Sequence, residues 1–122
     1  MAAHNELGKF GEKMAEDFLL SKGYKIRNKN WKSGKYELDI VAERDNILVV
    51  VEVKTRSSSL WGNPEDSVSD AKIKRTIEAA HYYIQMYDSE LETQFDIISI
   101  VKTIDGKFNI EHIEDAFMAR NY

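Results

Sequence analysis

Apolar residues early in the chain recur at helical spacing. Leu7, Phe10, Gly11, Met14, Ala15 and Phe18 share one side of a helix predicted from Asn5 to Ser21, with Asn5 as its cap and Gly23 as its end. The apolar period then shortens to two. Tyr24 to Trp31 predicts a strand, and Lys32-Ser33-Gly34-Lys35 its turn. Tyr36 to Glu43 and Ile47 to Lys54 predict the arms of a hairpin that reverses at Asp45-Asn46. The helical period returns from Ser69 to Met86, with the stripe Ile73, Ile77, Ala80 and Ile84, after a short turn at 64–67. Gln94 to Val101 and Phe108 to Ile113 predict further strands around an Asp105-Gly106 turn, and Phe117 in the tail is expected to dock back. A helical crossover places strand 94–101 parallel to strand 47–54. The expected architecture is α/β: helix, three-strand antiparallel meander, helix, strands, with a mixed central sheet.

The hairpin carries charge into this apolar pattern. A turn closed by Arg44 and Ile47 sets Leu38, Ile40 and Ala42 opposite Val53, Val51 and Val49. On the other face Val41 meets Val50, Asp39 meets Glu52, and Glu37 meets Lys54. A slip by one residue would carry one arm's charges onto the other arm's apolar face, so the pattern selects this register. Three carboxylates then face one ammonium in an apolar setting. Like charges directly opposite repel, and buried unpaired charge is costly. Either one carboxyl keeps its proton, with Glu37 and Lys54 as a cross-strand salt bridge, or a cation lies between Asp39 and Glu52. Mg²⁺, or Mn²⁺ in its place, suits the second case, since a hard ion takes oxygen ligands from one or two carboxylates.

At 122 residues the chain is expected to form one domain, residues 1–122. It lacks cysteine, which excludes disulfides, thiolate metal sites and cysteine nucleophiles and fits a reducing compartment. The start MAAHNELGKF has no signal-like apolar stretch, and no apolar run approaches membrane-spanning length, so a cytoplasmic location away from membranes is expected.

The net charge of −4 argues against a general nucleic-acid binder. Its distribution changes that picture. Residues 1–75 carry 14 Lys/Arg against 12 Asp/Glu, and residues 76–122 carry 3 against 9. Lys22, Lys25, Arg27, Lys29, Lys32 and Lys35 run without an acid, interleaved with Tyr24, Trp31 and Tyr36. That segment reads either as a nucleic-acid surface or as a solvent-facing strand with Tyr24, Ile26 and Trp31 turned inward. Lys72, Lys74 and Arg75 fall in the first turns of the second helix, where lysine and helix N-terminus together suit an anion. Arg56 and Trp61 lie in the loop expected after Lys54. Glu12 borders the apolar face of the first helix and could point toward the carboxylates. Gly8 and Gly11 suggest close packing of that face on the sheet. The GKFG stretch at 8–11 lies inside an unbroken helical pattern, which argues against a phosphate-clamping loop. His4, His81 and His112 match no metal-ligand spacing and read as structural. Asp96 interrupts an apolar strand.

The stretches LGKFGEKMAEDFL, GYKIRNKNW, ELDIVA, VVVEVKTR, WGNPEDSV, FDIISI and DAF span nearly the whole chain. With E-x-D followed by E-V-K, the sequence resembles the YraN family of the PD-(D/E)xK nuclease superfamily, related to archaeal Holliday-junction resolvases. The resemblance implies a restriction-endonuclease-like core and a magnesium-dependent endonuclease acting on DNA. It implies Asp39, Glu52 and Lys54 as the nuclease triad, supported by Glu12 and Glu37. The metal would sit on Asp39 and Glu52, with the Val53 carbonyl as a third ligand. Lys72, Arg56, Lys32, Lys35 and Trp31 would hold the nucleic acid, branched or single-strand-containing DNA or else RNA. Resolvase relatives work as dimers, which makes a homodimer an expectation here. Tyr36 stands where the family usually has glycine, and Gln94 where it usually has arginine. The first change would narrow the approach to Glu37; the second would remove a phosphate contact. The competing expectation is a binding module that keeps the fold without catalysis.

Overall fold

The structure, a computed structural model, describes residues 2–57 and 68–119, with side chains from Glu6 onward. Its elements are α1 (Ala2–Ser21), β1 (Lys25–Ser33), β2 (Tyr36–Arg44), β3 (Ile47–Arg56), α2 (Asp70–Met86), β4 (Glu92–Lys102) and β5 (Phe108–Phe117). The strands form one sheet in chain order. β1, β2 and β3 make an antiparallel meander, β4 runs parallel to β3 after the α2 crossover, and β5 returns antiparallel to β4. This mixed sheet between two helices is a restriction-endonuclease-like core. Among the described residues no helix is long and apolar enough to cross a membrane.

The ends of the elements follow from their sequence. Gly23 adopts φ +90°, a conformation open to glycine, and the Tyr24 and Gly23 amides donate back to the Leu19 and Leu20 carbonyls. The Ser69 side chain accepts from the Lys72 amide at 3.2 Å and caps α2, with Asp70 in the first turn. Asp45 and Asn46 both take positive φ, 52° and 63°, so the hairpin closes through a two-residue turn matched to the strand twist.

The central strands are covered on both faces and therefore read as near-continuous apolar runs. Ile40, Ala42, Val49, Val51, Ile98 and Ile100 pack under α1 through Ala15 and Leu19. Val41, Val50, Phe95 and Ile97 pack under α2 through Ile73, Ile77 and Tyr83. α1 lies so close that a Cβ on Gly11 would come 2.0 Å from Thr55 Oγ1 and 2.9 Å from Thr55 Cβ. Gly8 meets nothing within 4 Å, so close packing explains only one of the two glycines.

Several boundaries differ from expectation. α1 begins three residues earlier, at Ala2, and β1 runs to Ser33, leaving Gly34-Lys35 as a tighter turn. β3 continues to Arg56. β5 continues to Phe117, which is buried and stacks on Phe95 at 5.0 Å. The turn expected at 64–67 and Trp61 lie outside the described residues.

Candidate active site

The site begins where the hairpin ladder stops. Pairing follows the expected register from Arg44↔Ile47 to Ile40↔Val51 and then ends. A continued antiparallel ladder would send the Val53 amide to the Leu38 carbonyl. Instead Asp39 Oδ2 accepts that amide at 2.9 Å. Leu38 and Glu37 stay paired with Trp31 and Lys32 of β1. β2 thus opens from β3, with a carboxylate wedged between them.

Two expectations are corrected by this opening. Glu37 and Lys54 form no cross-strand pair, because their strands have separated. Glu37 lies instead 4.0 Å from Lys72 Nζ. Leu38 does not share the face of Ile40 and Ala42. It packs on the α2 side with Trp31 and Val41, whereas Ile40 and Ala42 pack on the α1 side. The change of phase falls at Asp39. Its neighbour across β1 is distorted too: Asn30 takes φ 48°.

The opening forms one end of a cleft of about 630 Å³ that draws residues from both helices. α1 contributes Glu12, β2 contributes Asp39, β3 contributes Glu52, Val53 and Lys54, and α2 contributes Lys72. Asp39 and Glu52 lie close enough for the charge of Asp39 to act on Glu52. Burial pushes the Asp39 carboxyl up, opposed by the Val53 amide and by Lys72. Burial and the Asp39 charge push Glu52 up to about 8, although Lys72 Nζ lies only 3.6 Å from Glu52 Oε2. Glu12 is raised by burial and by the Asp39 charge, and Asn30 opposes this with a hydrogen bond. Two carboxyls, one buried and one half-buried, sharing one ammonium favour a retained proton or a second cation.

The ammonium nearest the pair is Lys72. The sequence suggests Lys54 as the neutralising charge, and the family resemblance makes Lys72 an outer phosphate contact. Yet Lys54 is exposed on the cleft wall, and Lys72 reaches in from the first turn of α2. The capped start of that helix, read directly from Ser69, was the available signal. Lys32 and Lys35 are exposed at the β1–β2 turn, and Arg56 ends β3. Trp31 is 7% exposed and packs edge-on against Tyr83, so its expected role against nucleic acid gives way to a core role. Tyr36 turns toward α2 and stacks on Tyr82 at 5.1 Å.

A second polar cluster lies on the α1 side of β4 and β5. His112 Nε2 is 2.7 Å from Asp96 Oδ2, and Asp96 Oδ1 accepts from the Asp115 amide at 2.9 Å and from Gln94 Nε2 at 3.0 Å. Glu114, which takes the Tyr24 hydroxyl at 3.3 Å, completes a group whose ligand atoms lie within 4.8 Å of one another and could hold a metal ion. Spacing alone hid this group, because an irregularity in β5 is what brings Glu114 and Asp115 back to Asp96. Gln94, which stands where the family usually has arginine, is bonded to Asp96.

The model of Uncharacterised protein family UPF0102 matches residues 11–100. A UPF0102 protein of Phocaeicola vulgatus is 53% identical over 119 residues, covering 96% of each chain. One from Bacteroides thetaiotaomicron is 50% identical over 117 residues, again with 96% of each covered. One from Flavobacterium psychrophilum is 51% identical over 117 residues, covering 96% of this chain and 98% of its own.

Proposed function

The chain belongs to the UPF0102 family, the YraN family its motifs resemble, and from that premise and the chemistry of the cleft we propose a magnesium-dependent endonuclease acting on DNA. One observation carries the reading: the buried Glu52 and the half-buried Asp39 lie together on an open cleft that the exposed Lys54, two residues after Glu52, also lines. A structural carboxyl pair has no need of an open cleft.

The donor set fits a hard divalent ion. Asp39 and Glu52 would hold it, with the Val53 carbonyl as a further oxygen. When bound, such an ion polarises a phosphate oxygen and lowers the pKa of a coordinated water. The remaining work falls to the chain. Lys54 donates to the scissile phosphate and offsets the charge that builds on its oxygens. Glu12, held above the usual carboxylate range, is suited to accept a proton from the attacking water. Lys72 keeps Glu52 in place and, with Arg56, Lys32 and Lys35, provides positive charge along the path of the backbone. Contacts to the backbone position a strand without reading its sequence, so selection by DNA structure follows.

The test is a cleavage screen over linear, flapped, branched and single-stranded DNA at low salt with Mg²⁺ or Mn²⁺. Cutting is expected in the native protein and none in Asp39→Ala or Lys54→Ala. Variants that cut as fast as the native protein would remove the basis of the reading.

A further inference from the structure

Beside the cleft lies a surface that the proposed chemistry does not use. Tyr36, at the start of β2, and Tyr82, on α2, stack with ring centroids 5.1 Å apart and planes 23° from parallel. Trp31 supports Tyr82 from within at 6.3 Å. Tyr82 keeps 40% of its surface in solvent, although two neighbouring aromatic rings could have buried it. Lys35 Nζ lies over the Tyr36 ring at 5.5 Å. A recess of about 160 Å³ runs from Lys35 and Tyr36 to Arg75 and Lys72. Lys72 borders both this recess and the carboxyl cleft, whereas Glu37, 4.0 Å from its Nζ, lines the recess.

We propose that the Tyr36–Tyr82 pair is a stacking platform for an unpaired base, and that the strand entering the cleft is single-stranded on this side. The proposal deepens the nuclease reading and rests on it for the orientation of the strand. Three features favour this occupant. A supported, half-exposed aromatic ring offers a π-face that every base can use, whatever the sequence. Lys35 and Arg75 line the recess that begins at Tyr36 and offer cations for the phosphates of such a strand; Glu37 and Glu78 also line it, so the cations outnumber the acids only when Lys72 is counted. A base inside a duplex is stacked on both faces and cannot present itself to a tyrosine. The platform therefore selects DNA with a single-stranded arm adjoining the cut: a flap, a fork or a free strand.

The experiment is binding without divalent cation, so that failure of cleavage and failure of the platform are separate results. A fluorescein-labelled single-stranded oligonucleotide and a blunt duplex of the same length are titrated by anisotropy at low salt. The native protein should prefer the single strand. Tyr82→Ala should weaken the single strand about tenfold and leave the duplex within about twofold, whereas Tyr82→Phe should bind like the native protein. A 2-aminopurine base in the strand should be quenched on binding to the native protein and not to Tyr82→Ala. If Tyr82→Ala does not fold, Tyr82→Leu keeps the contact with Trp31 and removes the ring. Equal binding of the single strand by native protein and a folded Leu or Ala variant overturns the proposal. A native preference for duplex does so too. So does a variant that binds the strand normally but dissolves a dimer, since the patch would then be a contact between two copies.

Discussion

Asp39 takes the hydrogen bond that the Val53 amide would otherwise give to Leu38, at 2.9 Å from its Oδ2. That exchange ends the β2–β3 ladder, places one carboxylate against Glu52, and opens the cleft. It also leaves the folded protein with a charge it cannot hold cheaply. Glu52 is pushed up to about 8 by burial and by Asp39.

The consequence is a pH-dependent stability with a defined sign. Between the ordinary glutamate range, near 4.5, and about 8 the folded protein keeps a proton on Glu52 that the unfolded chain has lost. The folded state binds more protons there, so stability falls as pH rises through that window and levels off above it. The expected total is on the order of a few kcal/mol. Glu52→Gln removes the titration. Thermal melting from pH 5 to 9 without divalent cation should show the native slope and a flatter one in the variant. Parallel slopes would assign the dependence to other groups.

Divalent cation should act in the opposite direction. An ion held by Asp39 and Glu52 binds their ionised forms, so at pH 7 it must displace the Glu52 proton. At about a hundredfold excess over its dissociation constant it should stabilise the fold by about 2.7 kcal/mol. Calorimetry in buffers of different ionisation enthalpy should show proton release. The release should vanish in Glu52→Gln. A stabilisation that survives in Glu52→Gln would locate the ion elsewhere, with the Asp96–His112–Glu114 cluster as the alternative to examine.

The hairpin register was legible because a strand's side chains alternate, and only one pairing keeps charge off the apolar face. The opening at Asp39 was not. Alternation describes an intact ladder, and nothing in the period of two says that a side chain will replace a main-chain acceptor. Lys72 was legible as a helix-start cation but not as the partner of Glu52, because the crossover that joins them includes residues whose path the pattern does not specify. Asp96 stands out as a break in an apolar strand, but nothing in the sequence joins it to His112. The rest of the cluster, Glu114 and Asp115, depends on β5 running past Ile113 with an irregularity opposite Asp96, and the apolar pattern fades there.

Asp96 gives the next expectation. It is fully buried, and three groups donate to or share its two oxygens: Gln94, the Asp115 amide and His112. Asp96→Ala would leave the Asp115 amide and the buried imidazole without that partner. A loss of several kcal/mol is expected, since each buried donor left without its acceptor costs about 1–3 kcal/mol. Urea unfolding measures it. Because β5 and its tail rest on this network, the variant should also lose protection from hydrogen exchange at Phe117 before the β2–β3 hairpin does. A loss below about 1 kcal/mol would mean that water replaces the carboxylate without difficulty.

Gly11 links packing to chemistry. α1 approaches β3 so closely that even a methyl group would come 2.9 Å from Thr55 Cβ, an atom fixed to the backbone. A rotamer change alone therefore cannot admit Gly11→Ala; the helix must move. Overpacking of this kind costs about 1–3 kcal/mol, partly offset by up to about 1 kcal/mol from alanine's better helix propensity. Glu12 is the next residue on that helix, so the same movement draws its carboxyl away from Asp39 and Asn30. Two readings should change together. The melting temperature should fall, and the raised pKa of Glu12, followed by carboxyl NMR, should relax toward the ordinary glutamate range. Gly8→Ala is the control, since a Cβ there meets nothing within 4 Å; it should leave the Glu12 titration in place and hold or raise stability. If both variants behave alike, the contact with Thr55 does not set the position of Glu12.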